Sequence, residues 1–342
     1  MLKNTALNIK SVNASLSSRL PEFKGPWFAE KTIHGQSNPT FILTGKNNKK
    51  LILRKKPDGA LLKSAHMVER EFEVMKALAR TKVPVPTVYY LCSDPSEIGS
   101  VYFVMDFIDG FTFPEPQLTN MRVDQRKKIY DSMNAGLAAL HRLDPDRLGL
   151  SEFGKRGNYF ERQLSTWSRQ FELSADTKIL EMELLKEWLL KNIPEDEVKP
   201  GLVHGDWRID NLLFSKDNFS LLAVIDWELS TLGDPRADLA AQLMQWSLPV
   251  GREGRGLAGV DRSKLGLPTD EKYIDDYCQR RGLGERPDLT FAIAFSYFRM
   301  AAILQGVKKR SIDGNASNPE KGIKMGEYVP VFARLALDYL KL

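Results

Sequence analysis

The stretch LVHGDWRIDNLLF at residues 202–214 decides the fold, because its polar residues stand between two apolar runs. The apolar ends predict two short buried strands, and the middle predicts a polar loop. Asp206 and Asn211 lie five residues apart in that loop, and Asp226 stands near the end of the next apolar run, LLAVIDW at 221–227. A simple turn could use such side chains to cap its own backbone. Three polar positions in this order favour a loop that performs chemistry.

Carboxylates buried between apolar strands need a positive partner, and Arg208 is the one basic residue in the quoted stretch. A divalent cation would balance them. Mg²⁺ takes one or two carboxylates with neutral oxygens and keeps its other positions for water and phosphate. Asn211 and Asp226 are therefore candidate metal ligands, and Asp206 is a candidate base for a hydroxyl proton. This division of roles is typical of phosphoryl transfer from ATP.

The N-terminal part of the chain is predicted to be rich in strands. The segments at 39–45 and 49–56 are joined by the turn residues KNN and predict a hairpin. A helix is predicted at 64–80, and another apolar strand at 100–108. We therefore predict a small antiparallel-sheet lobe that covers residues 1–107.

The rest of the chain, residues 108–342, is predicted to form a larger and mainly helical lobe that carries the catalytic and substrate-binding residues. The fold class is accordingly α+β, two-lobed, with a cleft lined by polar loops of the larger lobe. Helices are predicted at about 124–143, 177–192, 235–246, 270–281, 288–307 and 320–342.

Composition and charge limit which partners and which cellular location we expect. The net charge of +5 over 342 residues is mild, and the basic clusters are short and lack interleaved aromatic residues, so we predict no nucleic-acid partner. The apolar run at 291–298 is closed by Arg299, which predicts no membrane partner. The first residues lack a signal-peptide core and are free of acid before Glu22; we expect a frayed terminus and a cytoplasmic protein, although a targeting segment stays open. Two distant cysteines, Cys92 and Cys278, predict free thiols.

Beyond spacing, the motifs resemble a known family. VHGDWRIDNLLF and AVIDWELSTLGDPRADLA resemble the catalytic core of the aminoglycoside phosphotransferases, a branch of the protein-kinase-like fold. GQSNPTFIL, LILRKKPDG, EREFEVMKAL and YFVMDFIDG resemble their N-lobe segments, in the right order over nearly the whole chain. The chain is similar in particular to the kinase-like domains that precede an acyl-CoA dehydrogenase in animal fusion proteins, and to free-standing bacterial relatives. The resemblance implies a kinase-like fold, ATP and Mg²⁺ as cofactors, and a small-molecule hydroxyl as acceptor.

The same resemblance implies roles for the residues of the quoted stretch. It matches Asp206 to the catalytic base and Asn211 and Asp226 to the two metal ligands. His204 resembles the residue that organises the loop. Two further aspartates, Asp234 and Asp238, are matched to a helix cap and an anchor of the catalytic loop.

In the N-lobe the sequence departs from the protein-kinase pattern. Protein kinases place a lysine on the third strand, where LILR has Arg54. Side chains alternate along a strand, so Arg54 and Lys56 share one face, and either could hold nucleotide phosphates. Glu71 matches the ion-pair partner of that basic residue, although a solvated Glu on a helix surface would look the same.

The expected phosphate loop is also reduced. HGQSNPT has one glycine where protein kinases have three, so phosphate contacts would come from Ser37, Asn38 and backbone N–H groups. The sequence contains no GxxxxGK[ST] loop. The resemblance places the adenine slot beside Met105, Phe107 and Ile108, which could equally be core residues.

The substrate is suggested by the loop WSLPVGREGRGLAG, which carries Arg252 and Arg255 against a single acid, Glu253. With Arg208 near the base, these charges suit an anionic substrate, unless they are merely solvated. The resemblance implies a hydroxy acid or hydroxyacyl-CoA. An aminoglycoside or amino-alcohol phosphotransferase is the first alternative. A non-catalytic nucleotide-binding module acting through a partner is the second, and the presence of all three candidate catalytic residues argues against it.

Overall fold

The computed structural model describes residues 7–23, 25–32, 38–57, 66–195, 199–251, 255–314 and 318–342. Two residues assigned to ligand binding from the sequence, Ser37 and Arg252, lie outside these ranges, and their assignments stay predictions.

The N-lobe is built on one five-stranded antiparallel sheet with the order β1-β2-β3-β5-β4. The predicted hairpin of β2 and β3 is confirmed, and its register places Phe41 opposite Leu53 and Leu43 opposite Leu51, all buried. The first strand was not predicted, because all four of its residues are exposed and leave no alternation to detect. The strands are β1 Phe28–Lys31, β2 Thr40–Thr44, β3 Lys50–Lys55, β4 Val88–Cys92 and β5 Tyr102–Asp106.

Two helices pack against this sheet. The expectation of a frayed N-terminus is wrong for residues 8–19, because α1 (Ile9–Arg19) is capped by the side chain of Asn8 and buries Val12 and Leu16 completely. For residues 1–6, which lie outside the described ranges, it stays a prediction. These two side chains fill the sheet face that Trp27 and the hairpin leucines also line. The predicted second helix is confirmed as α2 (Val68–Leu78). Both cysteines are free, as predicted, and both are buried.

The C-lobe is mainly helical, as predicted. Pro330, in the first turn of α11, has no N–H to continue a preceding helix, so the single helix predicted at 320–342 is wrong and α10 and α11 are separate. The fourth helix was not predicted. The helices are α3 Val123–His141, α4 Tyr159–Ser174, α5 Leu180–Lys191, α6 Arg236–Trp246, α7 Arg262–Leu265, α8 Asp270–Arg281, α9 Thr290–Ile312, α10 Pro319–Gly326 and α11 Val329–Leu340.

The ninth helix is the centre of this lobe. Over the described ranges, α9 is the one helix that by length and composition could cross a membrane, and 61% of its most apolar window is buried within the structure. It packs against α4, α6, α10 and α11. Its apolar residues thus form the centre of one of the two buried clusters to which the C-lobe contributes.

Two short antiparallel pairs carry the polar loops of the C-lobe. The strands are β6 Gly201–Val203, β7 Leu212–Phe214, β8 Leu221–Val224 and β9 Thr231–Gly233. β6 pairs with β9, and β7 pairs with β8. The predicted α+β, two-lobed architecture is therefore confirmed. Its division between residues 107 and 108 stays a prediction.

Candidate active site

The loop after β6 has a conformation that its neighbours impose. Gly205 adopts φ +83°, and a Cβ there would lie 2.5 Å from the carbonyl oxygen of Leu229. Only glycine fits both conditions at low cost. Trp207 is fully buried and packs near Gly136, so it serves packing rather than substrate contact. Between them, the side chain of Asp206 keeps 28% of its surface exposed.

A buried carboxylate fastens this loop from below. Asp238 accepts hydrogen bonds from the backbone N–H of His204 at 2.7 Å and of Gly205 at 2.8 Å. Nε2 of His141 lies 3.2 Å from the same carboxylate, and Nδ1 lies 2.8 Å from the hydroxyl of Tyr277. Burial alone would raise the pKa of Asp238, but its hydrogen bonds with His141 and His204 lower the pKa below the usual value. Burial lowers the pKa of His141, so a neutral ring donates from Nε2 and accepts at Nδ1.

His204 joins the loop to the strand end that carries Asp226. Its Nδ1 accepts the N–H of Asp206 at 3.2 Å, which leaves Nε2 to donate to the carbonyl of Ile225 at 3.0 Å. The ring also lies 4.6 Å, centroid to centroid, from Trp227. With both nitrogens engaged, His204 organises the loop and is not available for proton transfer.

Asn211 is fixed directly on the candidate base. Its Nδ2 donates to the backbone carbonyl and to the carboxylate of Asp206, both at 2.9 Å. The backbone carbonyl of Asn211 accepts the N–H of Ile225 at 3.0 Å, so Asn211 and Asp226 stand at adjoining ends of β7 and β8. Asp226 adopts the left-handed conformation, φ 66° and ψ 58°, at a cost of about 1–3 kcal/mol. The sequence-predicted trio is therefore brought together.

The guanidinium of Arg54 links the two lobes at the acidic site. Nε of Arg54 donates to Glu71 at 2.9 Å, and its Nη2 contacts Asp226 at 2.5 Å. Glu71 is 1% exposed, so its alternative as a solvated surface residue is wrong. Lys56 instead pairs with Glu69 at 2.6 Å. Of the two basic candidates, Arg54 is thus the one at the acidic site.

That acidic site contains a carboxylate that the sequence reasoning missed. Oxygens of Glu71, Asp226 and Glu228 lie within 4.8 Å of one another. Asn38, fully buried, donates to Glu71 at 3.1 Å and to Glu228 at 3.3 Å. Burial raises the pKa of Glu71 to about 7 against the opposing charge of Arg54. The signal in the sequence was an acid two positions after Asp226.

The donor set fits a hard divalent cation. Glu71 and Asp226 share the guanidinium of Arg54, and a carboxylate oxygen of Glu228 lies beside them. The amide oxygen of Asn211 adds a neutral donor, since its nitrogen is already used by Asp206. Oxygen ligands of this kind suit Mg²⁺.

The predicted adenine residues lie at and just after the end of β5. Met105 is buried in the core opposite Ile52 and Val88. Phe107 is partly exposed, with the ammonium of Lys50 5.1 Å from its ring centroid. Ile108, also partly exposed, follows it. Only the latter two offer surface to a ligand, and the adenine assignment stays a prediction.

The two predicted substrate arginines that the structure describes, Arg208 and Arg255, are held by acids. Arg208 pairs with Asp206 at 2.9 Å and lies 3.6 Å from Asp210. Arg255 contacts the other oxygen of Asp210 at 2.6 Å. Asp210, which sequence reasoning did not single out, therefore ties the basic loop to the catalytic loop.

A strand-rich lobe over a helical lobe, with a candidate base, an amide and an acid cluster between them, is the arrangement of a kinase-like phosphotransferase. The chain belongs to the phosphotransferase enzyme family, whose model matches residues 31–283. Enzymes of this family transfer phosphate to hydroxyl groups of small molecules, so the acceptor is an alcohol group.

Individual relatives agree with this assignment. Mouse acyl-CoA dehydrogenase family member 10 is 43% identical over 316 residues, which are 92% of this chain but only 29% of the mouse protein. The crystal structure of a proposed aminoglycoside phosphotransferase from Ralstonia eutropha is 39% identical, with a TM-score of 0.88 over 98% of this chain and 99% of that one. An aminoglycoside phosphotransferase in ternary complex with AMP-PNP and hygromycin B shares the fold, with 14% identity and a TM-score of 0.62 over 96% of this chain and 98% of that one. The predicted kinase-like fold and family are confirmed.

Proposed function

We propose that this chain is an ATP- and Mg²⁺-dependent kinase that phosphorylates the hydroxyl of an anionic small molecule, a hydroxy acid or hydroxyacyl-CoA. The observation that carries the proposal is the bond pair from Asn211 to Asp206, both at 2.9 Å, beside Asp226. It orients a partly exposed carboxylate and leaves an amide oxygen for a metal. A nucleotide-binding module without catalysis would not need that arrangement.

In this proposal each residue of the site has one task. Asp206 takes the proton of the attacking hydroxyl while Asn211 holds the carboxylate in place. Asn211 and Asp226 are the predicted metal ligands, and Glu228 is close enough to Asp226 to assist. Bound Mg²⁺ would neutralise charge on the phosphate oxygens. Arg54 would orient the nucleotide, because its planar fork can hold phosphate oxygens.

The substrate class rests on two supports. The curated relatives carry the name acyl-CoA dehydrogenase, which suggests acyl substrates. The cleft also holds the arginines Arg208 and Arg255, although both pair with carboxylates in this structure. The second candidate is an aminoglycoside, favoured by the Ralstonia eutropha structure at 39% identity. A cytoplasmic location, and the absence of nucleic-acid and membrane partners, belong to the proposal as well.

The test is an ADP-release assay of the purified chain with Mg·ATP. The acceptor panel contains hydroxy acids, hydroxyacyl-CoAs, choline and aminoglycosides. We expect turnover with hydroxylated acids or their CoA esters, and loss of that turnover in Asp206→Asn. Undiminished turnover in Asp206→Asn would overturn the assignment of the base. Phosphorylation of aminoglycosides alone would overturn the substrate class.

A further inference from the structure

A further arginine, Arg299, contacts the catalytic loop. Arg299 lies on the central helix α9, and its Nη2 donates to the carbonyl of Gly205 at 2.9 Å. Gly205 directly precedes Asp206. The guanidinium therefore lies one residue from the proposed base.

The charge of Arg299 is not balanced by an acid. Among the ion pairs that involve described residues, none includes Arg299, whereas Arg208 and Arg255 each contact a carboxylate. Its Nε is buried and makes no hydrogen bond to the residues that the structure describes. Buried donors and cations are normally satisfied, so this side chain is suited to an anionic group from outside the protein.

An aromatic ring orients this guanidinium. Its central carbon lies 5.4 Å from the ring centroid of Trp167 on α4, a cation–π contact. The indole N–H of Trp167 donates to Gln163 at 3.2 Å. Gln163 in turn lines an open depression of about 540 Å³. Trp167, which contacts Arg299, is thus hydrogen-bonded to a residue that lines the depression.

The depression is itself basic. Its lining includes Lys155 and Arg162, and neither takes part in an ion pair among the described residues, against one acid, Glu161. Additional anionic groups of an extended substrate would be attracted to this surface.

We propose that Arg299 receives the carboxylate or phosphate group of the phosphate-accepting substrate. Arg208 and Arg255 then serve to hold the loops through Asp206 and Asp210. This inference rests on the proposed function and names the residue that selects its substrate class. The planar edge of a guanidinium can donate two parallel hydrogen bonds to a carboxylate or to a phosphate, so the same side chain would recognise either anion.

The test compares the best acceptor acid from the panel with its uncharged primary amide, or the best phosphorylated acceptor with its dephosphorylated form, in the ADP-release assay. We expect the wild-type protein to prefer the anion in kcat/KM by about 10- to 100-fold, the range of one or two charge-assisted hydrogen bonds. Arg299→Gln keeps a donor for the carbonyl of Gly205 and removes the charge. It should reduce the preference to within about 3-fold, because kcat/KM falls more for the anionic acceptor than for its uncharged partner.

Two further variants complete the design. Arg334→Gln removes an exposed guanidinium that pairs with Glu181 at 2.5 Å on the C-lobe surface, and should keep the wild-type preference. Arg299→Lys keeps the charge but not the planar fork, and should show an intermediate preference. If Arg299→Gln does not fold, as judged by circular dichroism, an unchanged preference in Arg299→Lys overturns the inference.

The outcomes separate this inference from the proposed function. If no acceptor is phosphorylated, the proposed function fails, and the inference with it. If the best acceptor is uncharged or cationic, or if Arg299→Gln lowers kcat/KM equally for anion and uncharged partner, the site is not an anion receptor and Arg299 only supports the loop.

Discussion

Replacing Asp238 by asparagine should loosen the catalytic loop without touching any group that meets substrate. The carboxylate accepts three hydrogen bonds, from the N–H groups of His204 and Gly205 and from Nε2 of His141. An amide can replace only one oxygen. The less damaging orientation of the asparagine amide keeps its oxygen toward His204 and His141 and turns its nitrogen toward Gly205. The hydrogen bond from the Gly205 N–H is then lost, and two N–H donors face each other there.

The expected cost follows from these contacts. A hydrogen bond to a charged group contributes about 1.5–3 kcal/mol, and the two remaining bonds weaken because their acceptor becomes neutral. We therefore expect Asp238→Asn to lower the free energy of unfolding by about 3 kcal/mol. The loss should be accompanied by a fall in kcat, because the loop that carries Asp206 loses a support, and by a nearly unchanged KM for ATP.

Urea denaturation followed by tryptophan fluorescence measures this cost, and hydrogen exchange of the amides of His204 and Gly205 locates it. The folded-state pKa of Asp238 lies below the usual value, so its stabilisation is present above the usual value and is lost as the pH falls through the folded pKa. The difference in free energy of unfolding between wild type and Asp238→Asn should therefore be constant from about pH 6 to 8 and become smaller below about pH 4. Asp313→Asn removes an exposed pair with Lys309 and serves as control, with an expected change under about 0.5 kcal/mol. If the free energy of unfolding of Asp238→Asn is within about 0.5 kcal/mol of wild type, and hydrogen exchange at His204 and Gly205 is unchanged, Asp238 does not anchor the loop.

Three other changes test the same site. Gly205→Ala should lower kcat by at least about 100-fold in the ADP-release assay, because its Cβ would lie 2.5 Å from the carbonyl of Leu229; wild-type activity would contradict the close approach. Glu71 has a pKa raised by burial to about 7, so it destabilises the nucleotide-free protein as the pH rises from about 5 to 8; Glu71→Gln should flatten that part of the melting-temperature profile, and an unchanged slope would exclude Glu71 as its source. Tyr277→Phe removes the hydroxyl that fixes the ring of His141, and should lower kcat about 10-fold with little change in KM, whereas an equal rise in KM would point to a different role.

The site could be predicted from the sequence where its members are close along the chain. Asp206, Asn211 and Asp226 fall within one hairpin-like unit, so their order already restricts their positions. Contacts between distant segments could not be derived in this way. Arg54 and Asp226, which are in contact, are 172 positions apart in the sequence. Whether Arg299 has an acidic partner depends on which acids the fold brings near it.

The missed elements have a related explanation. The apolar positions of α1 are few, and its stability comes from inserting Val12 and Leu16 beneath the sheet, a contact that local periodicity does not reveal. The exposed strand β1 lacks any alternation and is recognised only by its pairing with β2. Elements that depend on tertiary packing were thus missed, while those with a clear apolar period were found.

The position of Arg54 has a consequence for how the two lobes work together. Its guanidinium contacts Glu71 of the N-lobe and Asp226 of the C-lobe, so one cation bridges the cleft between β3 and the end of β8. A divalent cation bound by Asp226 would compete with that guanidinium for the same carboxylate. Because phosphate oxygens attract both cations, a bound nucleotide would, under the proposed function, give Arg54 another partner in place of Asp226. Exchange of partners at this single residue would therefore couple nucleotide binding to the relative position of the lobes.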